Sequence, residues 1–258
     1  MKYQITAPLN NYILKCYDLS KNKLSKNMQY PAILLTSTDD TLLSQAVYEL
    51  ADRITSLNVI KQSGLTNCVN IKVEYTQDFK KEFQRMIHTL NTNAKYTNSY
   101  QGIVAIDLSD WVSDIETDEF VALLSYLKDT SKNRIYIFYS TKKEVKHLSS
   151  ALRNYFSIDT HELKMEKVKQ KYYYTITFLE DEYGIKIDES SQNKLYDTIV
   201  AMADSDNSTS LQSLNSFCRE IACNALINNN KVILENTGAN INNKTSSHQT
   251  KQNNIGLV

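Results

Sequence analysis

Short apolar runs that alternate with segments of helical periodicity constrain the fold of this chain more than any other feature. Four runs have the length and composition of strands, namely PAILLT, CVNIKVEY, GIVAID and RIYIFYST, and FSIDTHEL is a shorter fifth candidate. Each of the first four is followed by apolar residues at helical spacing. Strands that alternate with helices of this length predict an α/β domain with a doubly wound, mostly parallel sheet of about five strands.

After the fifth candidate strand the strand patterns stop, and three apolar stripes at helical spacing follow. They predict a small helical bundle. The end of the chain is rich in Asn, Lys, Ser and Thr, which is typical of disorder. We therefore expect an N-terminal arm at 1–29, an α/β domain at 30–162, a helical domain at 163–227 and a disordered polar tail at 228–258.

Composition excludes several classes of partner. Lys plus Arg and Asp plus Glu both number 29, so no global charge attracts nucleic acid, although short lysine runs leave a local contact open. No run approaches a signal peptide or the roughly 20 apolar residues of a membrane span, so we expect a cytoplasmic protein without a membrane partner. The four cysteines form no CxxC pair and the four histidines have no paired spacing, so we expect no metal site.

Asp107 is the first candidate for a functional site. It ends the GIVAID run, and ligands of open parallel sheets bind at the carboxyl ends of the strands. An aspartate there can hold a metal–phosphate complex. It can also simply bond the backbone of the turn that follows the strand. The residue pattern leaves both interpretations open.

The order of these segments resembles the AAA+ ATPase module over roughly residues 30 to 227. GIVAIDLSD stands where that family has its Walker B strand, RIYIFYST where it has the sensor-1 strand, and LSSALRNYFSID where it has the arginine-finger segment. DEYGIKIDESSQNKLYDTIVAMA resembles the first helix junction of the family's lid. The resemblance implies that the helical domain is a lid and that Arg153 reaches the γ-phosphate of a neighbouring subunit. Alternatively, Arg153 is an ordinary exposed arginine of a helix.

The departures from that family concern the nucleotide. The sequence ILLT passes through STDD into the next helix without the glycines and lysine of a phosphate-binding loop. Leu108 takes the place of the carboxylate that positions water, and serines and a threonine at 208–210 replace the lid arginine. We therefore expect neither ATP nor Mg²⁺ as cofactor and no enzymatic activity. The vestigial nucleotide-site positions are Asp39, Asp40, Asp107, Asp110, Ser140 and Thr141.

The resulting prediction is a non-hydrolysing AAA+-like subunit or adaptor that docks on a protein partner, such as an intact AAA+ ATPase or another assembly. Trp111 and Arg153 are the candidate interface residues, and we expect them to share one rim of the sheet with Asp107. Alternatively, Trp111 folds back on its own domain.

Two other functions stay open. One is an ATPase with an unorthodox site, in which Asp107 and Asp110 hold Mg²⁺.

The other open function is a DNA replication subunit. AILLTSTDDTLLSQAVYEL resembles the first strand and helix of the clamp-loader delta subunit, which also lacks the phosphate-binding loop. That family carries a third, collar domain after the lid, whereas the polar segment 228–258 follows here. This difference counts against delta itself but not against descent from its branch.

Overall fold

A computed structural model describes residues 3–22, 29–60, 69–72, 78–97, 102–131, 134–142, 145–205 and 210–227. The chain divides into two compact units, Gln4–Lys164 and a second unit that combines Met1–Tyr3 with Met165–Val258. The predicted disordered tail lies outside the described residues. The division falls close to the boundary at 162/163 that the sequence suggests. Within the described ranges, no helix has the length and apolar content needed to cross a bilayer.

The larger unit is built on a five-stranded sheet in the order β2-β3-β4-β1-β5, and every neighbouring pair is parallel. This confirms the predicted α/β class, the parallel sheet and the strand number. The strands are β1 (Ala32–Thr36), β2 (Val69–Lys72), β3 (Gly102–Asp107), β4 (Arg134–Ser140) and β5 (Ile158–Glu162).

Helices connect the strands, and one further helix precedes them. The helices of this unit are α1 (Asn10–Lys21), α2 (Asp40–Ser56), α3 (Phe79–Thr97), α4 (Asp118–Asp129) and α5 (Lys146–Arg153). β1 and β4 are buried along their whole length, and β3 is buried except at its two ends. Continuous burial requires helices on both faces of the sheet, which is why these strands are continuous apolar runs.

One face of the sheet packs against α3, α4 and α5 in a single hydrophobic cluster. Leu34, Ile106 and Phe138 are the central strand residues of this cluster, and all three are inaccessible to solvent. Side chains alternate along a strand, so Ile33 and Leu35 point to the opposite face, and they are also fully buried. We assign α1 and α2 to that face because none of their buried residues belongs to the first cluster.

The N-terminal segment is tied to the α/β unit by α2. Glu49 accepts hydrogen bonds from the backbone N–H groups of Ile5 and Thr6, both at 3.1 Å. One turn later, Arg53 donates to the backbone oxygen of Thr6 at 2.9 Å. The Tyr12 hydroxyl of α1 donates to the carbonyl of Pro31 at 2.8 Å. The segment that the sequence sets apart as an arm therefore contributes a packed helix to this unit.

The second unit contains three helices, α6 (Val168–Tyr183), α7 (Glu189–Ser205) and α8 (Leu211–Ile227). They enclose a core around Leu179, Ile199 and Phe217. Gly184 ends α6 in the left-handed conformation, at a φ of 65°. Gly184 N–H donates to the carbonyl of Glu180 and Ile185 N–H to that of Leu179, the bonds that commonly terminate a helix at glycine. The predicted helical stripes are confirmed.

Candidate functional site

The carboxyl ends of β1, β3 and β4 lie side by side because these strands are parallel neighbours in the sheet. In an open parallel sheet this is the edge at which ligands bind. Four of the predicted site residues lie here: Asp39, Asp107, Ser140 and Thr141.

The connection from β1 to α2 consists of residues 37–39. Asp39 is the N-cap of α2, and its carboxylate accepts a hydrogen bond from Leu42 N–H at 3.0 Å. Asp39 N–H in turn donates to the Ser37 hydroxyl at 3.1 Å. Asp40 follows in the first turn of α2, where its side chain is exposed. The helix therefore begins with two acidic side chains and satisfies one of its open N–H groups with its own carboxylate.

The carboxylate of Asp107 accepts hydrogen bonds from the turn that follows β3. Its Oδ1 accepts from Ser109 N–H at 2.9 Å and from the Ser109 hydroxyl at 2.5 Å. The Ser109 oxygen accepts from the backbone N–H of Thr141 at 3.0 Å and lies 3.2 Å from the Thr141 hydroxyl, which donates to it. Of the two interpretations left open by the sequence, the turn aspartate matches this geometry. Asp107, Ser109 and Thr141 form one chain of hydrogen bonds across the ends of β3 and β4.

Ser140 links the ends of β4 and β1. Its backbone oxygen accepts from Ser37 N–H at 3.3 Å, and its hydroxyl accepts from Lys142 N–H at 3.2 Å. Both serines are buried. Polar groups at this edge are therefore bonded to one another.

Leu108 and Asp110 follow Asp107 and have opposite environments. The Leu108 side chain is fully buried in the cluster on the α3–α5 face of the sheet. Asp110 is exposed in the 3-10 turn Ser109–Trp111. Among the described residues, no group of three or more His, Cys, Asp or Glu side chains is placed to hold a metal ion.

The prediction that Trp111 is an exposed interface anchor is wrong. Its side chain is fully buried, with ring centroids 5.4 Å from both Phe79 and Phe120. The 3-10 turn after β3 directs the indole under the start of α4 rather than into solvent. The alternative in which this tryptophan folds back on its own domain is therefore correct.

Arg153 is the last residue of α5 and is exposed. No hydrogen bond or ion pair of its guanidinium occurs within the part of the chain that the structure describes. The prediction that Arg153 shares a rim with Asp107 is wrong. A helix that connects parallel strands runs antiparallel to them, so α5 ends toward the start of β5, which pairs with the start of β1 at Ala32.

Two buried cysteines are structural. Burial raises the pKa of the Cys16 thiol and that of the Cys218 thiol to about 12. Both thiols are therefore protonated at neutral pH, and they pack as small apolar side chains. The position of Cys218 and Cys223 on a predicted helix favours core packing for both. Cys218 is buried as this predicts, whereas Cys223 is exposed, so the prediction is wrong for Cys223.

Ser109 is the site residue that the sequence analysis missed. Its role depends on Thr141, which lies far away in the sequence and reaches it only because β3 and β4 are neighbours. The pattern Asp-Leu-Ser contains one local signal, because an aspartate commonly bonds the N–H two residues later in a turn. That signal predicts the bond to Asp107 but not the bond to Thr141.

The strand order, the parallel sheet and the three helices that follow it define an α/β fold with a helical second unit. Among solved structures, domain III of the Thermotoga maritima replication initiation protein DnaA is similar over 90% of both chains, with 13% identity and a TM-score of 0.51. The Bacillus subtilis DNA clamp loader delta protein is similar over 81% of this chain and 57% of its own, with 15% identity and a TM-score of 0.38.

The first of these likenesses shows the fold alone, and the second is too weak to support any conclusion. No family model matches the sequence, and no curated protein matches it. The function is therefore argued from the site.

Proposed function

We propose that this chain is a non-hydrolysing AAA+-like module that works by binding a partner protein. The observation that carries the proposal is the cap of α2. In nucleotide-binding relatives, phosphates bind the open N–H groups at the start of this helix. Here the Asp39 carboxylate already accepts from Leu42 N–H at 3.0 Å. A phosphate at that position would have to displace a carboxylate and approach the charge of Asp40.

The connection before α2 supports the same conclusion. A phosphate cradle needs consecutive backbone N–H groups that face the ligand, and glycines make that conformation accessible. Residues 37–39 contain no glycine, and no lysine lies between β1 and the first turn of α2. This segment therefore lacks the glycines of a phosphate cradle and a lysine that would offset the charge of a triphosphate.

The groups that would activate water are also engaged or absent. Asp107 is held by two hydrogen bonds from Ser109. Leu108, at the position that the family resemblance assigns to the catalytic carboxylate, has an apolar side chain buried in the core. Hydrolysis needs a group that orients and polarises water, so we infer that the module retains the fold without the reaction.

Arg153 is the residue for which we propose partner binding. It is exposed at the end of α5, and the family resemblance gives this position an arginine that reaches a neighbouring subunit. A guanidinium binds phosphate or carboxylate groups with two parallel hydrogen bonds. We propose a protein partner that offers such a group, with the nucleotide-bound site of an intact AAA+ ATPase as the first choice.

A replication role is the second candidate. Its support is the replication initiation protein among the structural neighbours, which is a likeness of fold. A captured partner from the replication machinery would favour this candidate over a general adaptor.

The experiment is quantitative capture from the native cell extract with wild type, Arg153→Ala and Arg219→Ala. Arg219 is an exposed arginine of α8 and serves as the matched control. We expect Arg153→Ala to lose the partner, because removal of one member of a charged pair in an interface costs about 2–5 kcal/mol. If the partner is an ATPase, its hydrolysis rate should also depend on Arg153. If wild type and both variants recover equal amounts of the partner, the assignment of Arg153 to partner binding is wrong.

A further inference from the structure

One side of the edge strand β5 has no partner among the described residues. Two bonds at the ends of its ladder with β1 show which side this is: Ala32 N–H donates to Ser157 O, and Leu163 N–H donates to Thr36 O, both at 2.7 Å. Backbone groups alternate between the two sides of a strand. The odd-numbered residues of β5 therefore face β1, while the backbone groups of Ile158, Thr160 and Glu162 point away from the sheet.

Within the described ranges, the backbone N–H and C=O groups of these three residues form no hydrogen bond. Thr160 and Glu162 are also exposed as whole residues. Among the described residues, the Thr160 hydroxyl contacts the Ser149 hydroxyl of α5 at 3.1 Å, and Glu162 pairs with Lys164 at 3.0 Å. An exposed row of unpaired backbone groups is a template for another strand.

The usual devices that block a sheet edge are absent from β5. The strand contains no proline and no lysine, and its register with β1 runs through consecutive pairs from Ile158 to Glu162 without a bulge. Charged side chains can also hinder pairing at a sheet edge, and β5 does contain them. The ionisable side chains are Asp159, His161 and Glu162, and their order determines which strand fits beside them.

We propose that β5 pairs with β5 of a second copy of this chain, antiparallel about a two-fold axis at Thr160, so that the two sheets become continuous. In this register Thr160 lies opposite Thr160 of the second copy, and Ile158 lies opposite Glu162. All three outward-facing residues then fall in hydrogen-bonded pairs and form about six backbone hydrogen bonds. A two-fold axis is also the commonest symmetry of protein dimers.

The side chains are complementary in the same register. Asp159 lies opposite His161 of the second copy, so an acceptor meets a donor on both sides of the axis. Lys15 binds Oδ2 of Asp159 at 2.8 Å, which leaves Oδ1 for the imidazole. An axis at Asp159 would instead oppose two carboxylates, and an axis at His161 would oppose two imidazoles. Each of those registers also leaves one outward-facing residue unpaired.

The test is sedimentation equilibrium of the full chain over a hundredfold range of concentration. Thr160→Pro removes an outward-facing N–H that forms no bond with the described residues, and proline is tolerated at such edge positions. Thr160→Val keeps that N–H and changes only the side chain. We expect wild type and Thr160→Val to dimerise, and Thr160→Pro to raise the dissociation constant at least tenfold. Circular dichroism melts check that both variants fold.

A second pair of variants tests the register. With His161→Asp, Asp159 of each copy lies opposite a second carboxylate, at position 161 of the other copy. The two like charges repel, so we expect weaker dimerisation. The double variant Asp159→His/His161→Asp restores opposite partners with their positions exchanged, and we expect it to recover association relative to the single variant. A structural effect confined to one chain would not be repaired by the second substitution.

Three results would overturn the proposal. The first is a wild-type chain that stays monomeric at every concentration. The second is a dimer that Thr160→Pro leaves unchanged, which would place the interface elsewhere. The third is dimerisation only after removal of residues 228–258, which would mean that the tail covers the edge. The experiment uses neither nucleotide nor partner protein, so its outcome is independent of the proposed function.

Discussion

Thr141 donates its backbone N–H to the hydroxyl of Ser109 at 3.0 Å, so one side chain joins the carboxyl ends of β4 and β3. The same Ser109 hydroxyl donates to Asp107 at 2.5 Å. The polar groups at this edge therefore bind each other, and the edge acts as a structural connection between strands.

Removing the Ser109 hydroxyl should therefore reduce stability. Ser109→Ala takes one donor from Asp107 and one acceptor from the N–H of Thr141, in a partly buried environment. An unsatisfied buried polar group costs about 1–3 kcal/mol, and we expect a loss of that size in the free energy of unfolding, measured by urea denaturation. Ser150→Ala, at an exposed position of α5, is the control. A loss for Ser109→Ala no larger than for the control would show that the network is not stabilising.

Trp111 is a specific fluorescence probe of the core because it is the single tryptophan of the chain. Its burial against Phe79 and Phe120 predicts blue-shifted native fluorescence that a soluble quencher barely affects. Trp111→Ala should cost about 3–5 kcal/mol in the free energy of unfolding, and Trp111→Phe clearly less, because it retains a ring between the two neighbours. Native emission like that of free tryptophan would contradict the burial of this side chain.

The strands could be predicted from sequence because a strand that is buried on both faces of the sheet is a continuous apolar run. Ile103 and Ile106 lie in an unbroken apolar run, and both are buried. After PAILLT, the helical spacing of apolar residues predicts a stripe that includes Leu43, Leu50, Ile54 and Leu57, and the first three are buried in α2. Leu57, which continues that stripe, is 41% exposed because the helix ends at Ser56. Periodicity thus identifies the buried face of a helix more reliably than its end.

The candidate site could be predicted only in part, because its geometry depends on contacts between distant segments. The sequence correctly placed Asp107 and Thr141 at one edge of the sheet, since strand ends of a parallel sheet coincide. It did not predict that Ser109 joins them, or that Trp111 turns inward, since both depend on the short 3-10 turn after β3. The sequence pattern did not predict the position of Arg153, because it depends on α5 running antiparallel to the strands and ending toward the start of β5.

The N-terminus of α7 should confer a measurable pH dependence on stability. Asp188 accepts from the Ser190 hydroxyl and from Ser191 N–H, both at 2.7 Å, and these bonds lower the pKa of its carboxyl group. The lowered pKa means that the ionised form stabilises the folded state. This contribution is present above the ordinary pKa of aspartate, about 3.9, and is lost as the pH falls through the folded-state value.

We therefore expect wild type to be more stable than Asp188→Asn near neutral pH, and the difference to shrink as the pH falls below the ordinary pKa of aspartate, about 3.9, and through the lowered folded-state pKa. The measurement is denaturant unfolding of both proteins over this fall in pH. Other carboxylates titrate equally in the two proteins, so the difference isolates Asp188. A difference that stays constant with pH would exclude this origin.

The charge of Asp39 and the missing phosphate loop make separate contributions to the proposed loss of nucleotide binding. Asp39→Asn distinguishes them, because asparagine also caps helices well and removes only the charge. We expect this variant to fold like wild type and still not to bind nucleotide, because the glycines and the lysine of a phosphate-binding loop are absent from the segment between β1 and α2.

Isothermal titration calorimetry of the wild-type chain with Mg·ATP tests the central claim most directly, with an intact AAA+ ATPase titrated under the same conditions as a positive control. We predict no binding with a dissociation constant below about 100 μM, which corresponds to about −5.5 kcal/mol. A saturable, magnesium-dependent heat of binding below that concentration, abolished by Asp107→Asn, would contradict the claim and establish a nucleotide site at the end of β3.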